Sequence, residues 1–172
     1  MVDTHCHLNF HAFDKDLEAV AKRAFEAGVR IIVNTGTSIP SSRKAVELAH
    51  KYENMYAIVG IHPHHADKAD VEFEGEIQKD WFENLKILAN EEKVIGIGET
   101  GLDYHTYKSN GIVDKKLQFD AFRKQIVLSI ELGLPLQIHN RQAGEDIISV
   151  LKEYRTKFQD PPGMFHCFAG TF

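Results

Sequence analysis

Cysteine is nearly absent from this chain: Cys6 and Cys167 are the only two in 172 residues, and they form no CxxC pair. That excludes a disulfide framework and a thiolate metal knuckle, and it makes a reducing cytoplasm the simplest home. Neither cysteine reads as a nucleophile; both point away from the neighbouring histidines, toward a helix layer, as small apolar groups. No secretory leader is read, because the first apolar strand begins at Val2. No apolar run approaches the roughly 20 residues that a membrane span needs. Cations are scattered, and the net charge is −5. The chain therefore lacks a basic face able to coat duplex DNA or an anionic membrane, so any nucleic-acid contact must be local. Linkers, low-complexity segments and a glycine-rich phosphate loop after the first strand are also missing, and the last absence removes a dinucleotide-binding reading.

What is present is ordinary globular composition, 43% apolar and 26% charged, in a length that suits one domain over residues 1–172. Short β-rich runs alternate with helical patterns from end to end. Strands are expected at Val2–Leu8, Arg30–Gly36, Met55–Ile61, Val94–Glu99, Leu134–His139 and Met164–Phe168. Between them, Asp14 is expected to cap a helix closed by Gly28, and Pro40 and Ser41 to open another. Glu76–Asn90 carries apolar residues at helical spacing, Asp114 opens a helix that ends at Gly133, and Ala143–Phe158 makes the fifth.

Strict alternation predicts a parallel sheet with crossover helices, either open and doubly wound or closed as a barrel. Polar residues favour the barrel, an α/β fold of the (β/α)₈ TIM type, because they gather at strand ends, where such barrels do their chemistry. Six strands fall short of eight and of the usual length of about 250 residues. The expectation is a single barrel domain with about six of eight βα units, incomplete at its C-terminal side.

The strand-end residues are specific. In "DTHCHL", His5 and His7 share a strand face and can hold one metal between them. In "GIGETGLDYH", Glu99 ends an apolar strand, where a carboxylate is costly to bury unless paired or metal-bound. Asp103 reads equally as a loop cap or a catalytic part. "LPLQIHNR" sets His139 on the same parity as Arg141, whose guanidinium matches phosphate oxygens. In "GIHPHHA", His64 suits a phosphate contact or a proton-transfer group, His62 suits a hydrogen bond within the turn, and His65 faces solvent. "FHCFAG" adds His166. His5, His7, Glu99, His139 and His166 thus supply mixed imidazole and carboxylate donors, which suit Zn²⁺, Mn²⁺ or similar ions better than Ca²⁺ and suit hydrolysis.

In that order, with the helix stretch "QFDAFRKQI", these strings resemble the TatD-type metal-dependent deoxyribonucleases of the amidohydrolase-like barrel superfamily. The resemblance runs through essentially all 172 residues. It implies a single metal-dependent hydrolase barrel domain over residues 1–172 that hydrolyses DNA phosphodiesters with two divalent ions (Mg²⁺, Mn²⁺ or Zn²⁺); the acidic net charge favours strand ends or single strands over long duplexes, and no obligate protein partner is evident. It also implies that His5 and His7 bind one metal, that Glu99 bridges, and that His139 and His166 bind the second, with Glu99, His64 and Arg141 as the catalytic set. The family pattern ends in an eighth-strand aspartate, a metal ligand and general base, for which this chain has no counterpart. The alternatives are a truncated, inactive metal-binding relative and a barrel hydrolase acting on C–N or ester bonds.

Overall fold

The computed structural model describes residues 1–69, 80–108, 111–166 and 168. Its six strands are β1 (Val2–Cys6), β2 (Ile31–Thr35), β3 (Met55–Val59), β4 (Val94–Asp103), β5 (Leu136–Arg141) and β6 (Gly163–Phe165). All pair in parallel, and their spatial order is their chain order. A doubly wound sheet reverses its order at a switch point; this sheet never does, so it curls in one direction. The curl is closed enough for its margins to meet. Gln137 on β5 donates from Nε2 to the Thr4 carbonyl of β1 at 2.9 Å, and the His5 ring stacks on His166 at 3.5 Å between centroids. This is the expected barrel type, seen as a curled half-barrel of six strands with helices outside.

Helix α1 spans Leu17–Glu26, α2 Ile39–Lys51, α3 Trp81–Ala89, α4 Lys115–Leu132 and α5 Gly144–Tyr154. A reciprocal box opens α2: the Ser41 amide donates to Ser38 Oγ and the Ser38 amide to Ser41 Oγ. Asp114 accepts the amides of Lys116 and Leu117 at the start of α4, and Gly133 ends that helix in the left-handed region at φ 64°. Asp14, expected to cap α1, does not. The N-cap is Asp16, while Asp14 accepts from the His11 ring at 2.9 Å in a tight turn before the helix. The beginning of the helix expected from Glu76, and Cys167, lie outside the described residues. Among the described residues, no helix is long and apolar enough to cross a membrane.

The main core lies between the sheet and α2–α5, with Val59, Leu85, Ile97, Phe122, Ile126 and Ile147 fully enclosed. Each such side chain contributes about 1.5–3 kcal/mol of transfer free energy. A smaller cluster under α1 joins Leu8, Leu17, Ala21 and Ile32 to Leu48 and Met55. Cys6 packs against it and donates its thiol proton to Asn34 Oδ1, as an apolar group facing the helix layer should.

Strand β4 matters most for the polar strand-end residues, because it continues beyond the expected end at Glu99 as far as Asp103. Its register against β5 shifts between Ile97 and Thr100 and then resumes, pairing Gly101 with His139 and Asp103 with Arg141. Glycine permits this approach: Gly101 sits at φ 141°, and a Cβ there would lie 2.1 Å from the His139 carbonyl oxygen.

A candidate metal and phosphate centre at the strand ends

Glu99 is the hub. Its side chain is 5% exposed, and its amide donates to the Gly36 carbonyl at the end of β2 at 2.9 Å. Histidines from β1, β3, β5 and β6 surround the carboxylate. On one side, His5 Nε2 lies 3.6 Å and His7 Nε2 4.0 Å from Glu99 Oε2, and the two ring nitrogens are 3.1 Å apart. His166 stacks on His5 there. On the other side, His139 Nδ1 lies 2.8 Å and His62 Nε2 4.0 Å from Glu99 Oε1.

Asp103 forms a second layer behind His139. It is fully buried, and its Oδ2 meets His139 Nε2 at 2.9 Å and His64 Nε2 at 3.0 Å. Its Oδ1 accepts the His105 amide, and Tyr107 donates its hydroxyl proton to Oδ2 at 3.1 Å. The same Tyr107 oxygen accepts from Arg141 Nη1 at 2.6 Å, and its ring packs edge-on against His64. Arg141 is exposed, so its guanidinium is steadied from below and faces outward.

The titration behaviour follows from this packing. Burial pushes His5 down to about 4 and His62 down to about 3, against the partial support of Glu99. Burial lowers His64 and His166 too. For Glu99, burial alone would raise the carboxyl, but the His139 bond and the neighbouring imidazoles outweigh it and hold the group at about 2. Burial likewise opposes ionisation of Asp103, yet the His105 amide and His139 keep it below the usual carboxylate range. His139 is raised, because two carboxylates outweigh its burial.

The structure therefore brings His5, His7, Glu99, His139 and His166 together, and joins His64 and Arg141 to them through Asp103 and Tyr107. His5, His7 and Glu99 lie together as the resemblance implies, whereas His166 stands beside His5 and not beside His139. Among the described residues, two further sets of three could hold a cation by distance: His5, Glu99 and His166, and His62, Glu99 and His139. His166 thus sits with His5, and His139 with His62. His65, expected in solvent, is half-buried and donates to the Thr37 carbonyl at 2.8 Å. Sequence reasoning undervalues Asp103 and Tyr107. The signal for Asp103 is its parity with Glu99, which the intervening glycine disguises.

A family model described as TatD related DNase matches residues 2–172. The chain belongs to the TatD-related DNase family. A relative named as uncharacterized metal-dependent hydrolase YabD, from Bacillus subtilis (strain 168), is 41% identical across 99% of this chain and 62% of its own length. The 3'-5' ssDNA/RNA exonuclease TatD of Erwinia tasmaniensis is 37% identical across 99% of this chain and 61% of its own. Among solved structures, YjjV, a TatD homolog from Escherichia coli K12, superposes with a TM-score of 0.81 at 28% identity, over 99% of this chain and 61% of that one. The chain thus spans about three-fifths of the length of these relatives.

Proposed function

We propose that this chain carries the metal-binding and phosphate-binding face of a divalent-metal-dependent hydrolase that cuts nucleic-acid phosphodiesters, DNA strand ends or single strands foremost. One observation carries the reading: imidazoles from β1, β3, β5 and β6 converge on the ionised Glu99, with an outward-facing Arg141 beside them. In this reading His5, His7, Glu99, His139 and His166 hold two ions, Mg²⁺, Mn²⁺ or Zn²⁺. The donor set fits. Neighbouring donors around a tetrahedral ion with bonds near 2.1 Å lie about 3.4 Å apart, and His5 Nε2 is 3.1 Å from His7 Nε2 and 3.6 Å from Glu99 Oε2. Divalent ions bound there supply Lewis acidity, lowering the pKa of water and polarising a phosphoryl oxygen.

The remaining work belongs to the side chains. Glu99 offers a carboxylate that stays ionised throughout the physiological range. Arg141, aligned by Tyr107, presents paired N–H groups to a phosphate, and His64 stands next to it against Asp103. Overall acidity disfavours grip on long duplexes, which supports strand ends or single strands as substrate. A cytoplasmic setting belongs to the same reading, supported by the free thiol of Cys6.

Release of nucleotides from single-stranded DNA in Mn²⁺ tests the proposal, with loss of release expected in His139→Ala. Equal turnover by that variant removes the site assignment. Hydrolysis of an amide or ester by a chain that leaves DNA intact would favour the C–N or ester reading instead.

A further inference from the structure

We infer that His62 is a hydrogen-bond donor to the substrate phosphate and not a metal ligand, an assignment that rests on the phosphodiester reading above. Distance alone groups His62 with Glu99 and His139 as a cation holder. The opposite side of its ring decides against that. His62 caps the tight turn Pro63–His65, and its Nδ1 accepts the backbone N–H of His64 at 3.1 Å. A neutral imidazole has one lone pair and one N–H. With the lone pair committed at Nδ1, the hydrogen sits on Nε2.

Nε2 is the atom that faces the centre. It lies 4.0 Å from Glu99 Oε1, beyond hydrogen-bond reach, and among the described residues no acceptor meets it. The ring is 12% exposed and packs 4.3 Å from the His139 ring, so the N–H stands on the floor of the site, within reach of a ligand. An N–H pointing into the site repels a cation and suits an acceptor. A phosphate oxygen, which only accepts, fits it.

His7 shows the opposite arrangement in the same site. Its Nδ1 lies 2.9 Å from the Thr35 carbonyl oxygen, which cannot donate, so Nδ1 carries the hydrogen and Nε2 presents a bare lone pair. The backbone thus sets one ring in the ligand tautomer and the other in the donor tautomer. To bind a metal, His62 would have to turn over and abandon its turn.

Two variants separate the roles, because an asparagine oxygen mimics Nδ1 and a glutamine amide mimics Nε2–H. The probes are Mn²⁺, followed by electron paramagnetic resonance, and a fluorescein-labelled phosphorothioate oligothymidylate in Mn²⁺, followed by anisotropy. His62→Asn keeps the turn and is expected to bind Mn²⁺ like the parent, while its oligonucleotide affinity falls about tenfold, the effect of one hydrogen bond to a charged group. His62→Gln is expected to recover most of that affinity. Loss of Mn²⁺ binding in both variants would make His62 a ligand and overturn the inference, as would parental oligonucleotide affinity in folded His62→Asn. Failure of the parent chain itself to bind the oligonucleotide defeats the phosphodiester reading, a result distinct from a parent that binds and a variant that binds equally.

Discussion

His139, on the interior strand β5, has a carboxylate at each ring nitrogen, Glu99 at 2.8 Å and Asp103 at 2.9 Å. His5 and His166, on the two margins of the described sheet, meet face to face and share no carboxylate bond of comparable length. Both groups reach Glu99, but by different physics. Interior strands are paired on both sides, so β4 and β5 can align Asp103 behind His139 through the register that runs unbroken from Thr100 to Asp103. The margins are brought together by curl, with the His5–His166 ring stack bridging them and Gln137 of β5 bonding across to Thr4 of β1. The central half of the site is therefore oriented before any ion arrives, and the marginal half is the more dependent on one. Outer-shell carboxylates behind a ligating histidine have this orienting effect in general.

The difference can be broken most strongly at His139. In the metal-free chain, His139→Ala strands two buried carboxylates and should cost about 3–5 kcal/mol, roughly 10 °C in Tm. His166→Ala removes a ring contact worth about 1 kcal/mol. Thermal unfolding of both variants in chelator checks this, and equal losses would erase the distinction between centre and margin.

Acid should act on the two depressed histidines and on His139 with opposite signs. His5 and His62 have folded pKa values of about 4 and about 3, below the ordinary 6.5, so the stability they carry is fully present above pH 6.5. It is lost as pH falls from 6.5 toward those values, at about 2 kcal/mol each after solvent screening. His139, raised by its carboxylates, works in the reverse sense: its contribution is full below pH 6.5 and is lost as pH rises through its folded pKa. Chemical denaturation of the metal-free chain at pH 7 and pH 4 should show lower stability at pH 4. Higher stability at pH 4 would mean that the His139 pairing dominates.

A smaller perturbation is Asp103→Asn, which leaves His139 bound to Glu99 alone. Metal affinity should fall about 10–100-fold, measured by titration calorimetry with Mn²⁺. The smallest is Tyr107→Phe, which removes the hydroxyl between Asp103 and Arg141. Oligonucleotide affinity should drop about threefold to tenfold, with metal affinity unchanged, if Arg141 is steadied for phosphate alone.

Much of this architecture is legible in the sequence because it depends on local periodicity. Apolar runs of period two alternating with helical stripes dictate a parallel sheet, and histidines at positions 5, 7, 139 and 166 fall at strand ends by simple counting. Asp14 and Asp16 differ only by a short turn that counting does not resolve, so periodicity points to the wrong cap. The continuation of β4 is hidden for a related reason: glycine carries no strand signal, and only the approach of the β5 backbone makes Gly101 a strand residue.

The sequence by itself determined which residue types stand at the strand ends, the barrel type of fold and the family, since periodicity and motif order survive without coordinates. Tertiary structure alone decided which histidines share a side of Glu99, that Asp103 backs His139, and which nitrogen of His7 and of His62 carries the hydrogen. Those are set by backbone groups distant in the chain or on the far side of a turn, such as the Thr35 carbonyl and the His64 amide. Strand-end spacing specifies a donor; its direction and protonation come from what the fold packs against it.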